Sequence, residues 1–183
     1  MAMRNTKSLG RFSLGMGDRF GQQGKAQLAA CLRALESGVE ITPVWNKSHR
    51  EHSIVGSAPA DVRREADAAV AALGWRGAYF VDADHIRLET VDAFLAPSDF
   101  FTIDVADSIG KPAAAASLDA FCAEAGGCGG AFGLTPDAVR RIAGKYLAAV
   151  EEAARIYQVA EIACSVTKKY AQVVDFTLAG FKF

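Results

Sequence analysis

The sequence predicts an α/β fold, with alternating βα units around a mainly parallel sheet. Two observations carry this. Apolar, β-rich runs at 12–20, 39–45, 77–86 and 99–107 alternate with segments whose apolar residues recur at helical spacing. Each run also opens apolar and closes polar: Asp18-Arg19, Asn46 through His52, Asp82-Asp84-His85, and Asp104-Asp107 with Lys111. At 183 residues, 51% hydrophobic and 22% charged, the chain is long enough for a single domain with a sizeable core. Four strands are visible and the tail offers a fifth. A closed barrel needs eight, so the residues alone leave two choices, a small open sheet or the front part of a barrel.

Taken in order, FSLGMGDRF is a short strand that ends in a Gly-x-Gly-Asp-Arg turn. Ala26, Leu28, Ala29, Cys31, Leu32 and Leu35 then fall on a helical period closed by Gly38. VEITPVW (39–45) alternates β-branched residues as a strand should, and its exit, NKSHREHSIVGS, reads as a polar loop. Pro59-Ala60-Asp61 opens an amphipathic helix that Gly74 ends. GAYFVDADHI (77–86) is the strand around which the rest is arranged: a buried apolar run leading into Asp82, Asp84 and His85. Thr90 is the expected N-cap of a short helix closed by Pro97. DFFTIDVAD (99–107) is a further strand, and a helix follows from Ser117 to about Ala125. The GGCGG run interrupts it, giving a Gly-rich linker at about 126–134. Thr135-Pro136-Asp137 caps a long helix to about Ala160, and a tail with β-rich pieces but no polar strand exit fills about 161–183. All of this fits one domain over 1–183.

Composition excludes several classes of function. Twenty basic against 21 acidic residues give a net charge of −1, which points neither to nucleic acid nor to an anionic membrane. No run of 18 apolar residues spans a bilayer, and the basic N-terminus lacks the apolar core of a secretory signal. Cys31, Cys122, Cys128 and Cys164 are widely spaced with no CxxC pair, so a cytoplasmic protein is expected, with Cys31 and Cys164, in apolar helical contexts, as buried free thiols.

In parallel α/β folds, ligands bind at the carboxyl edge of the sheet. Four polar exits in succession therefore converge on one rim. No GxGxxG or GxxxxGKS occurs. Arg19, Lys47 and Arg50 are candidates to hold a substrate carboxylate, Arg through a fork and Lys as a point charge; the competing reading is surface pairing with Asp18 or Glu51. His85 has two readings, a metal ligand or a hydrogen-bonded structural histidine, and Asp82 or Asp84 supplies a second ligand or a base. His49 and His52, in the polar exit of the second strand, are expected to be less buried.

At GMGDRFG…GKAQL, PVWNKSHREHSIVG, YFVDADHI and FFTIDVADSIGKP, over about residues 11–112, the chain resembles the tagaturonate epimerase family, which interconverts tagaturonate and fructuronate in hexuronate breakdown. The resemblance implies a metal-dependent epimerase of keto-hexuronates on the first half of a TIM-like barrel. It makes Asp84 the proton acceptor and His85 a ligand of a divalent metal. Arg19, Asn46, Lys47, Arg50, Asp82 and Asp104 make up the candidate substrate-binding set. The proton donor and further metal ligands fall in a later part of the family's chain, with no counterpart here. The expectation is thus an incomplete barrel, inactive alone, that pairs with a second copy or with a missing C-terminal half. The alternatives are a non-catalytic sugar-acid binding module and an inactive truncated fragment.

Overall fold

The computed structural model describes residues 9–167 and the backbone of 172–173; for 126–129, 131 and 162–167 it describes backbone alone. The chain divides into two compact units, Met1–Ile103 with Gln158–Phe183, and Asp104–Tyr157.

The first unit holds the sheet. Strands β1 (Ser13–Gly17), β2 (Thr42–Ser48), β3 (Phe80–Ile86), β4 (Phe100–Ile103) and the two-residue β5 (Gln172–Val173) lie side by side in chain order. Every neighbouring pair is parallel. With helices α1 (Gly24–Glu36) and α3 (Pro59–Leu73) between successive strands, this is the alternating βα arrangement of half a TIM-like fold.

Pleating decides what each face carries, because successive side chains point to opposite sides of a strand. Met16, Trp45 and Val81 face the helices and pack with Leu28 and Cys31 of α1 and Val62, Ala66 and Ala69 of α3. Leu28 and Ala66 are fully buried; a leucine so placed stabilises the fold by about 1.5–3 kcal/mol. Gly15, Gly17, Asn46 and Asp82, the sequence neighbours of those strand residues, therefore lie on the opposite face. Asp61 accepts the Ala58 amide at 2.8 Å at the start of α3, and Gly74 ends that helix in the left-handed conformation, φ 62°. Arg63 of α3 donates to the Pro97 carbonyl at 2.9 Å and pairs with Asp99, whose carboxylate also accepts the Val81 amide at 3.1 Å. One side chain thereby ties a helix to the entries of β3 and β4.

Several boundaries differ from the sequence reading. The second strand runs from Thr42 to Ser48, three residues later than expected, and its polar exit is not a loop but helix α2 (His49–Val55). A capping box starts that helix: the Glu51 amide donates to Ser48 Oγ at 3.3 Å and the Ser48 amide to the Glu51 carboxylate at 3.1 Å. Thr90 does not cap the turn after it but accepts the Arg87 amide at 2.9 Å. β4 stops at Ile103, because Asp104 turns its carboxylate onto the Ala106 amide at 3.0 Å and a 3₁₀ turn, Ala106–Ser108, follows.

The second unit contains helix α4 (Ala115–Ala131) and most of helix α5 (Pro136–Thr167). The helix expected to stop near Ala125 continues through Gly126–Gly130; glycine weakens a helix by about 1 kcal/mol relative to alanine but keeps every backbone donor. Thr135 Oγ1 accepts the Ala138 amide at 3.2 Å, the expected cap of α5, and α5 runs past Ala160 to Thr167. Within this unit, Ser108 pairs with Glu152, the Gly110 amide donates to the Lys145 carbonyl at 2.7 Å, and Arg140 pairs with Asp119 at 2.7 Å. Cys31 is buried and free, Cys122 is free and half-buried, and Cys128 and Cys164 lie outside the described side chains. Among the described residues no helix is long and apolar enough to cross a membrane.

Candidate functional site at the carboxyl edge of the sheet

A parallel sheet brings all its strand ends to one edge, so the site is built exit by exit. After β1, Asp18 folds back into its own turn and accepts the amides of Phe20 (3.1 Å), Gln22 (2.6 Å) and Gln23 (2.6 Å). Burial pushes its pKa up, but these amides outweigh burial and hold it below the usual aspartate value. Asp18 is thus a structural anion that opens α1. Arg19 is exposed, its Nε 4.0 Å from the Glu51 carboxylate.

The β2 exit splits between the two faces. Asn46 stands in register with Asp82 and lies over β1, where a side chain on Gly17 would approach its amide oxygen to 3.2 Å. Lys47 points the other way and is 2% exposed, its ammonium donating to Ser57 Oγ at 2.9 Å. Ser57 Oγ is also 2.8 Å from His52 Nδ1. Ser57 Oγ accepts from the ammonium and keeps one proton and one lone pair for Nδ1, so the direction of the serine–imidazole bond follows the imidazole tautomer; His52 Nε2 is buried and has no partner among the described residues. Burial, and secondarily the charge of Lys47, lowers the His52 pKa from 6.5 to about 4. His52 is accordingly 3% exposed, not the less buried residue expected from its polar surroundings. Arg50 is exposed on α2.

At β3, Asp82 is buried and its Oδ2 accepts the Thr102 hydroxyl of β4 at 2.9 Å, while Oδ1 has no partner among the described residues. Burial raises its pKa from 3.8 to about 6, and Asp84 adds to the rise against the Thr102 bond. Asp84, in register with Ser48, is half-buried, and its Oδ1 lies 2.6 Å from His85 Nδ1. The pairing of β3 with β4 is irregular between Ala83 and Ile86, and there His85 takes a left-handed backbone, φ 54°, which swings its ring outward to 64% exposure.

One face of the sheet therefore collects Asn46, Asp82, Thr102 and Asp84, with His85 turned out beside them. Lys47 instead joins His52 and Ser57 on the helix face. Asp104 belongs to the second unit. Thr102 and Ser57 went unseen in the sequence because a hydroxyl inside a strand or beside a helix end carries no spacing signal. Asp84 and His85 offer two adjacent donors to a cation. Among the described residues no group of three His, Cys, Asp or Glu could hold a metal ion, so these residues fit one edge of a metal shell and do not complete it.

A family model described as UxaE, tagaturonate epimerase, matches residues 3–178. Among solved structures, the two-glycerol complex of the fructuronate-tagaturonate epimerase UxaE from Cohnella laeviribosi is similar at TM-score 0.62 and 22% identity, over 80% of this chain and 34% of that one. The native crystal structure of the same enzyme is similar at TM-score 0.59 and 20% identity, with the same coverage. At such identities the likeness is one of fold. The chain spans about a third of the length of these solved relatives. Among curated proteins nothing matches.

Proposed function

The chain belongs to the tagaturonate epimerase family, and on that premise we propose that it serves the interconversion of tagaturonate and fructuronate, with Asp84 as the proton acceptor. The observation that carries the reading is the family match over 3–178 together with the Asp84–His85 pair, 2.6 Å apart at the exit of β3.

The stereocentre that differs between the two keto acids lies β to the ketone, so removal of a proton α to the carbonyl does not invert it. Retro-aldol cleavage does. Asp84 takes the proton of the hydroxyl on that centre; its C–O bond becomes an aldehyde, the C–C bond breaks, and the electron pair passes into the enolate of the ketone. Rotation of the aldehyde and re-addition on its other face re-form the bond, and Asp84 returns the proton. His85, bonded to Asp84 through Nδ1, orients that carboxyl and presents its outer nitrogen as one ligand of a divalent cation; such a cation, when bound, polarises the ketone. Asp84 and His85 alone would not complete the metal shell, which would need further ligands. Lys47 is spent on Ser57 beneath α2, so the anionic end of the substrate falls to Arg19 and Arg50, with Asn46 and Asp82 facing the sugar carbons.

The test is binding of both hexuronates by calorimetry and their interconversion by ¹H NMR, with and without added divalent cation. Asp84→Asn is expected to retain binding and to abolish whatever interconversion the wild-type chain supports, alone or with a second copy, and Arg50→Ala to weaken binding of both acids. Failure of either acid to bind refutes the proposal. Affinity that survives a chelator and the His85→Ala change, with no turnover, favours the non-catalytic sugar-acid binding module; the incomplete metal shell is the observation on its side.

A further inference from the structure

Several buried polar atoms of the first unit have no partner among the described residues, and two of them, on Trp45 and Gln27, are complementary. Trp45 is 3% exposed, and its indole Nε1–H, which can only donate, has no partner among the described residues. Gln27 of α1 donates through Nε2 to the Gly17 carbonyl at 3.2 Å, while its Oε1 is buried and likewise without a partner among the described residues. Both residues line one crevice by the ends of β1 and β2, together with Met16, Asp18, Asn46 and Glu65. Its inner space is about 10 Å³, close to the room one water-sized oxygen needs.

The two atoms select the chemistry of what binds. The indole needs an acceptor and the amide oxygen needs a donor. A carboxylate satisfies the first but is repelled by Oε1 and by the Asp18 and Glu65 carboxylates. An ammonium satisfies the second but faces the N–H dipole head-on. A neutral hydroxyl answers both at once, accepting from Trp45 and donating to Gln27. We infer that this crevice is a binding site for a single neutral hydroxyl oxygen, bridging Trp45 Nε1 and Gln27 Oε1. The oxygen comes either from a water or from an alcohol group of a polyol that reaches in from the rim. The site stands whether or not the epimerase reading does.

The experiment uses the full chain labelled with ¹⁵N and reads magnetisation transfer from water to the Trp45 indole proton, assigned by its loss in Trp45→Phe. In the ligand-free protein a cross-peak from a long-lived water is expected, and Gln27→Leu is expected to weaken it several-fold; Gln27→Met repeats the test if the leucine variant does not fold. Glycerol and tagaturonate are then titrated separately. A cross-peak that disappears as the indole resonance shifts assigns the oxygen to the alcohol, and one that persists assigns it to water. A wild-type protein with no water cross-peak, whose indole moves with neither polyol, overturns the inference. So does a cross-peak of equal strength in the Gln27 variants. A direct Trp45–Gln27 hydrogen bond, seen as an indole shift in Gln27→Leu without any water signal, overturns it as well.

Discussion

Acidification from pH 6.5 to 4 acts on this fold through two buried groups of opposite sign. The unfolded chain takes up a proton at His52 below pH 6.5, whereas the folded protein, with the ring buried beside Lys47, withholds it until about pH 4. Stability is therefore lost as pH falls through that window, by roughly 3 kcal/mol in full. Asp82 behaves the other way. The unfolded chain releases its proton above pH 3.8 and the folded protein keeps it until about pH 6, so stability from this group is present at low pH and lost as pH rises. The amount is again roughly 3 kcal/mol, and over pH 4–6 the two nearly cancel. Urea unfolding of wild type, His52→Gln and Asp82→Asn at steps between pH 7 and 4 separates them. The His52 variant should gain stability on acidification relative to wild type, and the Asp82 variant should lose it; the slopes matter, not the levels. Difference curves that are flat, or that tilt the same way for both variants, refute the burial argument for these groups.

Three further outcomes follow from packing and hydrogen bonds. Gly24→Ala would set a methyl 2.8 Å from Glu65 Oε1 and 2.9 Å from its Cγ, where Glu65 accepts the Gly24 amide at 3.1 Å; a loss of about 1–3 kcal/mol is expected by thermal unfolding. Asp18→Ala strips three amides of their acceptor and should cost about 1–3 kcal/mol at neutral pH. Because the folded Asp18 pKa is lowered, that cost should shrink as pH falls below 3.8, which acid unfolding curves will show. Arg63→Ala cuts the link from α3 to Pro97 and Asp99 and should cost about 1.5–3 kcal/mol in urea unfolding, with Arg63→Lys recovering only part of it.

What could be read in the sequence was what repeats. Apolar runs at strand length, helical spacing in 26–35 and glycine at Gly74 fixed the βα order, because many residues vote for each. Short features lacked that redundancy. α2 has seven residues, too few for an apolar stripe, yet Ser48 and Glu51 at capping-box spacing and Gly56 in the left-handed conformation marked both its ends. The β-branched Val39 and Ile41 ahead of Thr42 made the second strand look as if it began earlier than it does. At the site, the Asp82-Asp84-His85 cluster was legible as polar residues closing an apolar run. The burial of Lys47 was not, since lysine is almost never fully buried and only the position of Ser57, ten residues on, gives its ammonium a place to go. Nor could Asp104 be assigned to the second unit from its place at a strand end.

The left-handed backbone at His85 turns a question of chemistry into one of selection. For any residue with a β-carbon that conformation costs about 1–2 kcal/mol, which glycine is spared. A protein optimised only to fold would carry glycine here. His85→Gly should therefore raise the urea midpoint while His85→Ala does not, and a stabilising screen run without a ligand or activity assay would discard the imidazole first. Engineering this chain for robustness thus needs that position held fixed, because its sturdiest version is the one stripped of the residue with the best claim to a metal.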